Sequence, residues 1–125
     1  PKLRRQRQMC IRDRRWLLTP PGVDGGCPEG FTAQRTFNSW NEALALLRAE
    51  GLARVLLLGG ADLAGQLLQA DLVDGLQLTL CPQLLGGPHG WLPAEVALAP
   101  NRWRLIEQRP LEGDELLLRY GRRRS

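Results

Sequence analysis

VLLLGGADLAGQLLQADLVDGLQLTLCPQLLGG, the run from Val55 to Gly87, reads as one strand–helix–strand unit. The apolar Val55-Leu56-Leu57-Leu58 stops at a glycine pair, Gly59-Gly60. Its unbroken apolar character predicts a central strand covered on both faces. Ala61 to Ala70 then carries Leu63, Leu67 and Leu68 at helical spacing, which predicts a helix with one inward face. Leu76-Gln77-Leu78-Thr79-Leu80 alternates, as a strand with one buried face does, and Cys81-Pro82 and Gly86-Gly87 follow it. Glycines without a Cβ let backbone approach a ligand closely. Placed where a strand hands over to a helix N-terminus, they make an anion site suited to the phosphates of a dinucleotide. The plainer reading of the same pair is a tight strand-to-helix turn.

Upstream, Arg15-Trp16-Leu17-Leu18-Thr19 predicts a short strand, stopped by Pro20-Pro21-Gly22. Val23 to Thr32 reads as loop, and Gln34 to Phe37 as a second short strand. Ser39-Trp40-Asn41-Glu42 fits a capping box, in which the Ser hydroxyl accepts from one free amide while Glu reaches back to another. The helix expected after it runs Trp40 to Glu50, with Ala43, Leu44 and Leu47 on one face and Gly51 at a left-handed exit. Downstream, the Gly- and Pro-rich Pro82 to Pro100 reads mostly as loop. Trp103 to Gln108 and Glu115 to Tyr120 pair as a hairpin across Pro110-Leu111-Glu112-Gly113. The order β, α, β, α, β, hairpin predicts an α/β sheet, mostly parallel, with an antiparallel edge.

The charge is a property of the ends. The chain of 125 residues carries 17 basic and 13 acidic side chains, net +4. Residues 1–14 hold Lys2, Arg4, Arg5, Arg7, Arg12 and Arg14 against Asp13, which is +5, so the remainder is at −1. Within them, Met9-Cys10-Ile11-Arg12-Asp13 is what the transposon-end adaptor AGATGTGTATAAGAGACAG encodes in one frame. Residues 1–14 are therefore read as adaptor-derived and set aside from the fold. A natural basic arm is the alternative. Arg122, Arg123 and Arg124 form a basic tail, 122–125, read as a solvated end. The pI of 9.6 then describes tails rather than a basic groove, and argues against nucleic-acid binding.

The length suits one domain. No apolar run is long enough to span a bilayer. Cys10, Cys27 and Cys81 form no C-x-x-C pair, and with one His they make no structural zinc set. A reduced, cytoplasmic protein without a metal is expected.

Residues 15–121 resemble the pyrimidine reductase domain of riboflavin biosynthesis, within the dihydrofolate reductase-like superfamily. The resemblance is carried by Val55-Leu-Leu-Leu-Gly-Gly60, Ala61-Asp-Leu-Ala-Gly-Gln-Leu-Leu68, Asp71-Leu-Val-Asp74, Leu78-Thr-Leu-Cys-Pro82 and Leu84-Leu-Gly-Gly87, in that order. It implies an NADPH-dependent oxidoreductase that reduces 5-amino-6-(5-phosphoribosylamino)uracil to the ribitylamino product, and a homodimer. It implies a cofactor contact at Gly59 and Gly60, whose peptide bond is often cis in similar folds. The amides of Ala61, Asp62 and Leu63 would then face the pyrophosphate, with Asp62 alternatively a mere helix cap. Thr19 would reach the adenosine 2′-phosphate, with Arg15 nearby, or would be an ordinary turn threonine. Asp74 is read as tying loop amides ahead of the strand. His89, the sole histidine, is either a general acid or a solvated loop residue. No catalytic residue is assigned.

The chain departs from the family pattern in three places. Leu58 stands where the family often has Glu before the glycines, and Gly75 where Glu usually follows Val-Asp. The family's opening strand, with a Ser-x-Asp-Gly-like substrate segment, is not found, so an N-terminally truncated fragment is expected. A non-catalytic or assembly-forming domain of the same fold, or a reductase of another pteridine or pyrimidine, remain the alternatives. A nucleic-acid binder would need the N-terminal arginines to be native.

Overall fold

Two short strands lead. In the computed structural model, which describes residues 14–22, 25–88 and 90–124, Trp16–Thr19 forms β1 and Ala33–Thr36 forms β2. They pair in parallel, with Trp16 opposite Ala33 and Thr19 opposite Thr36. The Thr32 hydroxyl ties the entry to the pair: it accepts from the Arg15 amide at 2.9 Å and donates to the Arg15 carbonyl at 3.0 Å. The Arg35 guanidinium stacks over the Trp16 ring, 5.0 Å from its centroid.

Helix α1, Trp40–Ala49, begins as its sequence signals. Ser39 Oγ accepts from the Glu42 amide at 3.2 Å. The Glu42 carboxylate reaches one residue further back than expected, accepting from the Asn38 amide at 3.0 Å and from Asn38 Nδ2 at 3.1 Å. At the far end Gly51 takes φ 88°. Its amide donates to the Arg48 carbonyl and that of Leu52 to the Leu47 carbonyl, both at 2.9 Å. That is the paired closure a left-handed glycine permits. Ala43 is the buried residue of the helix, and Leu44 and Leu47 are half-buried.

The chain divides into two units between Val55 and Leu56. The strand expected at Val55–Leu58 is not formed. Val55 is 60%, Leu56 81% and Leu58 90% exposed, and no strand among the described residues pairs with them. An extended segment without a partner gains no ladder hydrogen bonds, so apolar content alone does not make it a strand.

The second unit holds helix α2, Ala61–Gln69, and three strands. Strand β3 is Gly75–Leu80, β4 is Trp103–Pro110 and β5 is Leu116–Arg122. Their order is β3-β5-β4, antiparallel throughout, so parallel pairing among the described residues is confined to β1 and β2. The expected hairpin is β4–β5, closed by a turn at Glu112–Asp114 in which Gly113 and Asp114 take φ 72° and 62°. A bulge between Leu105 and Glu107 interrupts the register. Leu68 and Leu117 are buried, and Leu63 and Leu67 half-buried. Gly65 is also buried: a Cβ there would stand 2.9 Å from Val96 Cγ2 and 3.3 Å from Pro93 Cδ. The segment Pro82 to Ala99 carries no helix or strand among its described residues, as its glycines and prolines foretell.

Candidate cofactor site

The glycine pair leads directly into α2. Gly59 takes φ 131°, a conformation that side-chain-bearing residues rarely adopt, and the Gly59–Gly60 peptide is cis. Gly60 is the N-cap, at φ −90° and ψ −167°. Its carbonyl accepts the first helical bond, from the Ala64 amide at 3.0 Å. It has no side chain to cap the helix, and no side-chain cap is made. The amides of Ala61, Asp62 and Leu63 thus begin the helix without an intrahelical or side-chain acceptor.

Space around them is open. A Cβ at Gly59 or at Gly60 would meet nothing within 4 Å, and Gly59 to Asp62 are exposed. Leu63 is half-buried. The free amides and the helix dipole favour negative charge here. Asp62 is the one acidic residue in the first turn. Its carboxylate stabilises the helix end and competes with any other anion.

Thr19 ends β1 and is 7% exposed. Its hydroxyl oxygen accepts from Gln34 Nε2 at 3.1 Å, and its carbonyl accepts from the Phe37 amide at 3.0 Å. The hydroxyl proton remains available to an acceptor. Gly59, Gly60, Ala61, Asp62 and Leu63 are brought together by one turn of chain. Thr19 belongs to the first unit and they belong to the second.

Two sequence expectations need correction. Asp74 does not tie loop amides: its carboxylate pairs with Arg124, with Oδ1 accepting from Nε at 3.2 Å and from Nη2. Nor are the last arginines simply a solvated tail. Arg122 closes β5, its amide donates to the Asp74 carbonyl at 2.9 Å, and its side chain is 9% exposed. Both misreadings concern partners about fifty positions away in sequence, which local pattern does not register. His89 and residues 1–13 lie outside the described residues. Trp91 and Leu105 are exposed and Trp103 is half-buried under Arg122. Among the described residues no group of His, Cys, Asp and Glu could hold a metal ion, and no helix is long and apolar enough to cross a membrane.

The family model for the RibD C-terminal domain matches residues 15–114. The chain belongs to the RibD C-terminal domain family. This is the riboflavin-biosynthesis pyrimidine reductase family, with a dihydrofolate reductase-like α/β fold. No curated protein matches the chain. The match covers the parallel pair, both helices, β3 and β4, and stops at the turn before β5.

Proposed function

We propose that the chain is an NADPH-dependent reductase domain that acts on 5-amino-6-(5-phosphoribosylamino)uracil and gives the ribitylamino product. The observation that carries the reading is the uncapped N-terminus of α2 behind Gly59-Gly60, in a chain of this family. When bound, the cofactor supplies a hydride for the sugar C1. The chain's own residues do the rest. Gly59 and Gly60 leave room for the pyrophosphate to reach main chain. The amides of Ala61, Asp62 and Leu63 donate to it. Thr19, in the first unit, keeps its hydroxyl proton for an acceptor while its oxygen accepts from Gln34 Nε2. The reading includes a cytoplasmic homodimer whose ligands are small molecules, with no nucleic-acid or membrane partner.

The test is to titrate NADPH and NADH separately into the protein, then add the pyrimidine and follow nicotinamide absorbance. NADPH binding with pyrimidine-dependent loss of absorbance is the expected result. Absence of NADPH binding sinks the reading. It would favour a non-catalytic domain of the same fold, which Leu58 and Gly75, in place of two family carboxylates, already suit. Turnover with a different pteridine or pyrimidine would keep the reductase and replace the substrate.

A further inference from the structure

Helix α2 closes on Asp71, which takes φ 63°. Its amide donates to the Leu68 carbonyl at 3.1 Å and that of Leu72 to the Leu67 carbonyl at 3.0 Å. This is the paired closure that glycine makes on α1, here with an aspartate in the left-handed position. From there the carboxylate pairs with Arg122 and lies 3.9 Å from Arg102. The Arg122 guanidinium stacks on Trp103, 5.5 Å from the ring centroid. The Arg123 amide donates to the Arg102 carbonyl at 2.8 Å. Arg124 pairs with Asp74. Asp71, Asn101, Arg102, Arg122, Arg123 and Arg124 line a cleft of about 670 Å³.

The charges do not balance. Four arginines line the cleft against the carboxylates of Asp71 and neighbouring Asp74, which pair with Arg102, Arg122 and Arg124, and Arg123 has no carboxylate partner among the described residues. The helix C-terminus draws cations, which accounts for Arg102 and Arg122. A surplus of about two positive charges stays. A phosphate ester carries roughly −1.5 to −2 near pH 7 and three acceptor oxygens, which matches that surplus. Guanidinium forks bond such oxygens two at a time. A nucleic acid would want a longer basic track, and outside residues 1–14 the chain is net negative.

We infer that this cleft binds a phosphate dianion, free or as the ester of a small organic molecule. Nine helical residues at about 1.5 Å each place it ~13 Å from the amides at the start of α2, so it is a second anion site.

The test is calorimetric titration of the full chain, at low salt, with inorganic phosphate and with glycerol phosphate. The protein is compared with an Arg102→Ser/Arg123→Ser double variant and with Arg109→Ser. Both arginines of the double variant are exposed, and the half-buried Arg122 is left in place. The double variant should bind about tenfold or more weakly, the cost of losing a charge-assisted hydrogen bond. Arg109→Ser, which removes an exposed arginine outside the cleft, should bind as the parent does. Tighter glycerol phosphate identifies an ester as the ligand, and tighter inorganic phosphate identifies the free anion. Amide chemical shifts of the unaltered protein give a second readout: Arg102, Arg122 and Arg123 should move. No binding of either probe overturns the inference. So does equal weakening by Arg109→Ser and by the double variant.

Discussion

Ala61 and Asp62 are where helix stability and ligand binding pull apart. A negative side chain in the first turn stabilises a helix by about 0.3–1 kcal/mol through the dipole. The same charge repels a phosphate seated on the first amides. Ala61 is exposed, so Ala61→Glu should leave the thermal midpoint unchanged or slightly raised. NADPH affinity should fall by roughly tenfold, the worth of one charge-assisted contact. Asp62→Asn should do the reverse, tightening NADPH while slightly lowering the midpoint. Parallel calorimetric and melting measurements on both variants check this. Equal NADPH affinities in the two would remove the cofactor from this helix end. Thr19 teaches a different lesson at the same scale. Its place at a strand end was legible from the prolines after it. Its acceptance of a hydrogen bond from Gln34 was not, because that contact arises from the parallel register, which puts Leu17 opposite Gln34 on the neighbouring strand.

Elements whose signals are local were the most legible. Both helices, the turn-bounded β3 and the β4–β5 hairpin lie where capping residues, leucine spacing and alternation place them. What local pattern lacked was pairing. Val55–Leu58 has the composition of a buried strand, yet a strand exists only with a neighbour to bond. Asp71 ends α2 without glycine, and its reason, two arginines more than thirty positions later, is invisible to propensity. Gly65 is another case in which packing overrides propensity. In a helix interior, Gly to Ala ordinarily gains about 1 kcal/mol. Here the added methyl would stand 2.9 Å from Val96 and 3.3 Å from Pro93. Overpacking of that kind costs about 1–3 kcal/mol. Gly65→Ala should therefore lower the thermal midpoint by a few degrees, against its intrinsic helix preference. A midpoint that rises would mean that the Pro93–Val96 segment yields freely and does not pack on α2.

Across the whole chain, polarity is distributed in a way that composition conceals. The hydrophobic fraction of 43% is ordinary. Its placement in the second unit is not. Leu56 is 81% exposed, Leu58 90%, Leu84 102% and Leu85 86%. Scattered single leucines on a surface need no explanation. Two short runs of them present adjoining apolar side chains, and contiguous apolar surface binds apolar dyes and promotes association. The protein should therefore enhance the fluorescence of an anilinonaphthalene dye while folded, and scatter more light as its concentration rises. Leu56→Ser/Leu58→Ser and Leu84→Ser/Leu85→Ser should each reduce both signals with little loss of stability, because exposed side chains contribute little packing. Far-UV circular dichroism on the same samples separates lost surface from lost fold. Dye emission that is unchanged in both double variants, with the fold intact, would mean that these leucines are covered in solution. Emission abolished by only one pair would assign the apolar surface to that run.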